Sequence, residues 1–396
     1  MNILILSDIE TSGEWIATQN MLTELKKRSN LNFFLLAYGK QTFHLQKELY
    51  KEIVLIDKAP LIPPFRYYRQ IALEIIAGVK YLKQLKKVTK KIDLVIATDY
   101  SLSLSASLLF PFVKRLFWFH GIKEIYKTNL GNFKHYAFIK KILERLAWIV
   151  SRKIIVPSQW AKKFIESELG IFSFLKTVII IPNIVSDYFL SEYSDLALVK
   201  FKKHLNIPKN KKIILYSGVF DRTKGLESLI NAFILLRNKA NSVVLVIAYP
   251  SVKLDKITFN KLSRIINASK VKASILLIKD LPRRDLAKLY QASNLAVLAS
   301  QLEMNSLFLL ESLSSGLPIF ATPVGNAEAL IKKINPFFIL KDGSKQTIHE
   351  ALNKFFKKDQ SWHRLMRKKI KNFAKKELFN TSAIGQFEKQ LEFFSD

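Results

Sequence analysis

Two short stretches of the chain hold residues of a type and spacing able to act on a charged ligand. The first is Tyr216-Ser217-Gly218-Val219-Phe220-Asp221-Arg222-Thr223-Lys224-Gly225-Leu226. A strand-like run ends at Gly218 and a helix is predicted to begin near Gly225, so Arg222 and Lys224 stand in the loop between them. Glycine lets a ligand approach the backbone closely, and two cations beside a helix N-terminus make a receptor for a pyrophosphate. The loop has neither the GxxxxGK[ST] spacing of a Walker loop nor a GxGxxG dinucleotide fingerprint. Taken alone, it fits a surface turn with two solvated cations equally well. The second stretch is Glu303-Met304-Asn305-Ser306-Leu307-Phe308-Leu309-Leu310-Glu311, followed by Ser315-Gly316-Leu317-Pro318. Glu303 falls in a strand-to-helix loop and Glu311 roughly two turns into the helix, which Asn305 or Ser306 is expected to cap, leaving amides free for phosphate. One carboxylate suits sugar hydroxyls and the other ribose hydroxyls. The bland alternative is an exposed Glu303 and a Glu311 that is only a polar residue on an apolar helix. A carboxylate among Leu307, Phe308, Leu310 and Leu313 needs a partner, which favours a ligand.

Elements that could position these residues follow from the pattern of the whole chain. Short β-branched runs alternate with longer amphipathic segments, the signature of parallel sheets wrapped by helices. Strands are predicted at Ile3–Leu6, Phe33–Ala37, Leu94–Ala97, Leu116–Phe119, Ile154–Val156 and Val178–Ile181. A second series comprises Ile213–Ser217, Val243–Ile247, Ile275–Ile278, Leu295–Leu298, Ile319–Ala321 and Phe337–Leu340. After Lys345 the chain reads as helices only. The expected organisation is an α/β protein with two doubly wound domains, residues 1–185 and 209–375, joined by an irregular linker at 186–208. A C-terminal helix over 376–396 is expected to pack back on the first domain. Doubly wound sheets bind ligands at the carboxyl ends of their strands, so the cleft between two such domains is the expected site.

Composition narrows the class. The 396 residues are 49% hydrophobic and 12% aromatic, ample for full cores, and 12 Gly with 12 Pro exclude collagen-like or low-complexity sequence. No Cys is present, which excludes a disulfide framework, a thiolate nucleophile and Cys-ligated zinc. The chain offers no clustered metal-ligand set. The start, Met1-Asn2-Ile3-Leu4-Ile5-Leu6-Ser7-Asp8, lacks a basic leader and reads as a first strand, and the longest apolar stretch, Leu102 to Val113, falls short of the roughly 20 residues a spanning helix needs.

The order Gly218…Arg222-x-Lys224-Gly225, then Glu303-x7-Glu311, then Gly316-x-Pro318, resembles the family-four glycosyltransferases of the GT-B fold over nearly the whole chain. The resemblance implies two Rossmann-like domains facing a central cleft, a nucleotide-sugar donor such as a UDP- or GDP-sugar, and metal-independent transfer with retention, without a cofactor. It implies that Arg222 and Lys224 neutralise the departing diphosphate, Glu303 orients the sugar and Glu311 the ribose. His120, beside Gly121, stands where such enzymes carry a His near the donor sugar. Gly13, in Ser12-Gly13-Glu14, stands where they have a glycine-rich loop. Gly218, Asn305, Ser306 and Leu307 join the substrate-binding set. Departures are the single glycine of the first loop, Met304-Asn305-Ser306 where Gly-Phe-Gly is frequent, and Ile184 in place of a usual Gly after Pro182-Asn183. Asp99 and Glu124 could activate an acceptor hydroxyl, though both read more simply as surface residues.

The charge balance is 63 Lys+Arg against 32 Asp+Glu, or +31. Such an excess implies an anionic partner such as nucleic acid, an anionic bilayer or a phosphorylated substrate, with compositional drift toward Lys as the bland contribution. From Phe65 to Lys91 apolar residues recur at helical spacing while Lys80, Lys83, Lys87 and Lys91 gather on another side, after the aromatic and Pro-rich entry Pro60 to Tyr68. A basic amphipathic helix of this kind suits an anionic membrane surface, the bland alternative being a helix packed on the first sheet with its lysines in water. The basic stretch Phe133 to Lys153 reads instead as a helix packed on the first sheet with its lysines in water. The expected activity is sugar transfer to a glycan or lipid-linked acceptor by a cytoplasmic protein peripheral on the inner face of the plasma membrane. The rivals are a basic nucleic-acid-binding protein, which carries no support from any RRM, KH, zinc-finger or helix-turn-helix signature, and a non-transferase GT-B protein, either an epimerase or an inactive scaffold.

Overall fold

The computed structural model describes residues 1–9, 12–39, 45–56, 67–88, 91–120, 134–237, 242–251, 254–378 and 380–395. Residues 60–66 of the Pro-rich entry, Gly121 and Glu124 lie outside the described residues. The chain divides into two compact units, one of Met1–Asn183 with Thr381–Asp396 and one of Ile184–Asn380.

The first unit is built on β1 (Asn2–Asp8), β2 (Asn32–Tyr38), β3 (Tyr50–Ile56), β4 (Leu94–Ala97), β5 (Lys114–Trp118), β6 (Lys153–Val156) and β7 (Thr177–Ile180). Its helices are α1 (Ser12–Arg28), α2 (Tyr67–Val88), α3 (Tyr100–Leu109), α4 (Lys134–Val150) and α5 (Gln159–Leu169). Among the described residues the strands form one parallel sheet of seven in the order β3-β2-β1-β4-β5-β6-β7. Ile3 to Leu6 of β1 are fully buried between β2 and β4, as expected of a parallel sheet covered on both faces. The strand β3 was not anticipated. Lys51 and Glu52 interrupt its apolar run, which an edge strand tolerates because one side of its ladder is open.

Gly78 of α2 lies against Ser105 and Leu102 of α3, while Leu82 and Leu85 are buried and Lys80, Lys83 and Lys87 exposed. Toward its C-terminal end the apolar stripe of α2 therefore serves the core while these lysines face outward; nearer its start Leu73 and Ile76 are exposed.

The second unit contains β8 (Lys212–Ser217), β9 (Val243–Tyr249), β10 (Ile275–Lys279), β11 (Leu295–Leu298) and β12 (Ile319–Ala321), all parallel, in the order β10-β9-β8-β11-β12. Its helices are α6 (Asp187–Leu190), α7 (Asp195–His204), α8 (Leu226–Arg237), α9 (Lys256–Ala268), α10 (Arg283–Ala292), α11 (Leu307–Ser314), α12 (Ala327–Ile334), α13 (Lys345–Phe356) and α14 (Gln360–Glu377). Two expectations are corrected. The stretch 186–208 is not irregular: α6 and α7 occupy it, and Phe189 and Phe201 are part of the second unit's core. Phe337–Leu340 is not a strand, because Pro336 and the Asn335 side chain, which accepts from the Phe337 amide at 3.0 Å, wind it into a 3-10 turn. A single parallel bridge, Ala321 to Ile339, is what remains of the expected pairing.

The last helix, α15 (Asn380–Ser395), belongs to the first unit from Thr381 on. Phe387 is fully buried, 4.8 Å from Trp118 between ring centroids, and Lys114 donates to the Phe394 carbonyl at 3.2 Å.

Candidate functional site

In the second sheet the chain reverses its direction of growth between β8 and β11, so the loops leaving their carboxyl ends splay apart and leave room for a ligand. Those two loops hold the two stretches singled out from the sequence. They are tied together by the Gln301 amide, which donates to the Thr223 carbonyl at 2.7 Å.

The β8 loop is shaped by its own side chains. Gly218 closes the strand, its amide donating to the Ala248 carbonyl at 3.0 Å. Asp221 then starts a single 3-10 turn, Arg222–Lys224, by accepting from the Thr223 amide at 2.7 Å and the Thr223 hydroxyl at 2.5 Å. Gly225 ends that turn with φ +68°, and a Cβ there would stand 2.1 Å from the Ala299 carbonyl oxygen. Only glycine lets the loop turn into α8 this close to the end of β11.

Within this frame Lys224 Nζ meets Glu303 Oε1 at 2.7 Å, and the Ser300 hydroxyl donates to the same oxygen at 3.0 Å. Arg222 is exposed and makes no hydrogen bond among the described residues, so its guanidinium is available to an anion. Asp255 is held below the usual carboxylate range by the Thr258 hydroxyl first, with the Arg222 charge contributing. Burial, with the charges of Glu303 and Asp221, pushes the Tyr216 phenol far up, and its hydroxyl donates to the Val219 carbonyl at 2.8 Å beneath the loop.

Ser306 caps α11, its hydroxyl accepting from the Leu309 amide at 3.4 Å. The amides of Leu307 and Phe308, in the first turn, therefore have no partner inside the helix. Asn305 is buried and accepts at its Oδ1 from Asn326 at 2.8 Å, which anchors the loop from behind.

Glu311 lies just over one turn into α11, nearer the start than expected. The helix is buried on nearly every side, and the partner its carboxylate requires comes from α10: Arg283 Nη2 at 2.5 Å on one oxygen and the Tyr290 hydroxyl at 2.8 Å on the other. Arg283 also lies over the Phe189 ring, 4.6 Å from its centroid. Burial and the Glu311 charge raise the Tyr290 pKa well above its ordinary value, keeping it a donor. Burial of Glu311 is thus answered inside the unit and is no argument by itself for a ligand. Each carboxylate oxygen still has a second acceptor position. Arg283, Tyr290 and Ser300 were missed in the sequence; the one available signal was Arg283-Arg284 directly after Pro282, at the end of a predicted strand.

His120 and Gly13 belong to the first unit. His120 follows β5 and is buried, its Nε2 3.0 Å from the Thr18 hydroxyl of α1. Burial pushes its pKa down to about 3, partly offset by the Asn183 side chain, so it is a neutral imidazole at physiological pH. Gly13 sits in the first turn of α1, exposed, where an added Cβ would touch nothing within 4 Å. Asp99 caps α3, accepting from the Ser101 amide at 2.9 Å.

Comparison with known proteins was made on this frame. Residues 199–377 match the family described as glycosyl transferases group 1. The lipopolysaccharide 1,2-N-acetylglucosaminetransferase of Salmonella typhimurium is 25% identical over 251 residues, 62% of this chain, and the chain spans 63% of the length of that curated relative. Among solved structures, sucrose-phosphate synthase from Thermosynechococcus elongatus has a TM-score of 0.80 at 15% identity and covers all of both chains. HepE of Anabaena, solved with UDP and glucose, has a TM-score of 0.76 at 15% identity over 99% of each. The chain thus has the GT-B fold, two α/β units each on a parallel sheet, and its segment 199–377, which contains Lys224, Glu303 and Glu311, matches the glycosyl transferases group 1 family.

Proposed function

We propose that this protein is a glycosyltransferase that takes a sugar from a nucleotide-sugar donor and transfers it, with retention, to a glycan or lipid-linked acceptor in cell-surface polysaccharide or glycolipid synthesis. The observation that carries the reading is the pairing of Lys224 with Glu303 beside the exposed Arg222, at the point where the second sheet reverses. Breaking the bond from sugar to diphosphate places growing negative charge on the leaving oxygen. Preorganised cations at that oxygen stabilise the transition state more than the ground state. Arg222 and Lys224 are in this role. Glu303, already oriented by Ser300, takes the hydroxyls of the transferred sugar, and the Leu307 and Phe308 amides meet phosphate. Glu311, held by Arg283 and Tyr290, accepts from the ribose, and His120 serves as a neutral hydrogen-bonding group.

The HepE structure with UDP and glucose, and the Salmonella relative named for N-acetylglucosamine transfer, support UDP-sugars as the first donors to test. With two cations assigned to the diphosphate, activity is expected to persist in EDTA. Among the described residues no helix is long and apolar enough to cross a membrane. The outward lysines of α2 and the +31 charge support peripheral attachment to an anionic bilayer on the cytoplasmic side.

A thermal-shift screen of UDP- and GDP-sugars tests the donor, since a ligand at one hundred times its dissociation constant stabilises by about 2.7 kcal/mol. Proton NMR of the first product formed tests retention. No shift with any sugar nucleotide, or product of inverted anomeric configuration, would overturn the respective part of the reading.

A further inference from the structure

The first unit carries an apolar surface that its own core does not use. On α4 the side chains of Phe138, Ile142 and Leu146, spaced four apart and so on one face, are 38–64% exposed. Ala147 and Trp148 of the same helix are buried, Trp148 against Phe119 at 5.6 Å. The helix was read from the sequence as packed with only its lysines in water; instead it packs through one face and leaves a second apolar face open. Directly after α5 comes the 3-10 turn Gly170–Leu175, in which no residue is buried. Ile171, Phe172, Phe174 and Leu175 are 45–80% exposed there.

The two features adjoin. Glu168, at the end of α5, accepts from Lys141 at 3.0 Å and Arg145 at 2.8 Å, both on α4. Lys176, the residue after the turn, donates to the Ile149 and Ser151 carbonyls at the other end of α4. The turn is therefore tied to α4 on both of its sides. Single exposed apolar residues are ordinary on a protein surface, but several large ones on neighbouring segments mark a candidate interaction site.

Charge decides the occupant. Between Lys134 and Lys176 the chain has nine Lys and Arg against three Glu. Of the three, Glu144 is buried and Glu168 is neutralised by Lys141 and Arg145. Exposed apolar side chains in a stretch of this net charge complement an anionic bilayer, where apolar side chains enter the acyl boundary and lysines remain among the headgroups. A second copy of a +31 chain would be repelled from the same surface.

We propose that α4 and the turn Gly170–Leu175 form the bilayer-contacting surface of this protein, with Ile171, Phe172, Phe174 and Leu175 inserted into an anionic leaflet. The proposal deepens, and rests on, the peripheral attachment inferred above, and the experiment separates the two. The full chain is floated with vesicles of phosphatidylcholine alone or of phosphatidylcholine and phosphatidylglycerol in equal parts. Ile171→Ser with Phe174→Ser, exposed positions that leave the core intact, is expected to lower partitioning into the anionic vesicles about tenfold or more. Phe174→Trp is expected to give an emission that shifts to the blue and is quenched by brominated acyl chains.

A comparator, Lys80→Gln with Lys83→Gln and Lys87→Gln, reports on α2. If only the comparator loses binding and Phe174→Trp is not quenched, attachment stands and this surface is overturned. If the wild type does not float, both fall. If the Ser variant floats like the wild type but no longer self-associates in sedimentation velocity, the patch is a protein interface and the proposal fails. Nucleotide binding, measured in parallel, reports on the donor site independently.

Discussion

Lys224 and Arg222 occupy one loop but stand in different surroundings, which separates their predicted effects. Among the described residues Arg222 has no hydrogen bond to lose, so Arg222→Ala is expected to leave the melting temperature unchanged while lowering turnover. Losing one preorganised donor to a developing oxyanion amounts to roughly 2.7–4 kcal/mol, or 100- to 1000-fold in rate. Lys224→Ala is expected to cost as much in turnover and, because Glu303 loses its cation, some stability as well. Steady-state rates and melts on both variants check the pair; unchanged rates in both would remove the assignment to the diphosphate. His120 supplies a second test at this scale. It stays neutral in the folded chain down to about pH 3 but titrates near 6.5 when unfolded. Between those values the unfolded chain binds more protons, so stability rises with pH across the window and falls as the solution is acidified. Urea titrations are expected to show wild type losing on the order of 3 kcal/mol more than His120→Gln between neutrality and pH 4. Equal losses would show that His120 is already charged or exposed.

At the scale of elements, the site depends on how closely two loops and two helices approach. Gly325 has φ +55°, and a Cβ there would stand 2.5 Å from the Glu303 carbonyl oxygen, much as Gly225 abuts Ala299. Gly225→Ala and Gly325→Ala are each expected to destabilise by about 2 kcal/mol or more, since the left-handed backbone alone costs of order 1–3 kcal/mol for a residue with a Cβ. Each should also weaken nucleotide binding, because the clash falls on the backbone that holds Ser300 or Glu303. Melts and calorimetry on the two variants are the check. The link between α10 and α11 is more demanding. Arg283→Met leaves the Glu311 carboxylate buried without its cation, and breaking a buried pair this way costs about 3–5 kcal/mol. Glu311→Gln keeps the hydrogen bond to Tyr290 in reach, so it is the milder variant for testing ribose contact; donor affinity equal to wild type would show that Glu311 does not hold the nucleotide.

At the scale of the molecule, the chain returns to its first unit for its last helix, so the two units do not correspond to two halves of the sequence. Ile384, Phe387, Leu391 and Phe394 of α15 are buried. At roughly 1.5–3 kcal/mol per side chain their removal amounts to about 6–12 kcal/mol, comparable with the whole stability of a domain. Truncation after Leu378 is therefore expected to abolish the unfolding transition of the first unit while the second still melts cooperatively and binds nucleotide. Calorimetry would reveal this as the loss of one of two transitions. A truncated chain that kept both would mean that α15 contributes little to the packing around Trp118.

The sequence by itself determined the class of the fold and where its loops fall. Buried parallel strands are near-continuous apolar runs, so eleven of the twelve strands among the described residues could be seen before any coordinates. β4, β11 and β12 fall where expected, the others shift by a residue or two at their ends, and polar edge residues hid β3. The chemistry-bearing loops were legible for a related reason: glycine, aspartate and serine set turns and caps locally, and Gly225, Asp221 and Ser306 do so here. Only the tertiary structure decided which residues answer one another. Glu311 is met by Arg283, 28 residues away on another helix, and His120 by Thr18, 102 residues away. Periodicity identifies an apolar face but not whether another layer covers it. The same spacing that buries Leu82 and Leu85 of α2 leaves Phe138, Ile142 and Leu146 of α4 open. Burial is a property of what distant segments bring to a surface, and no local pattern encodes it.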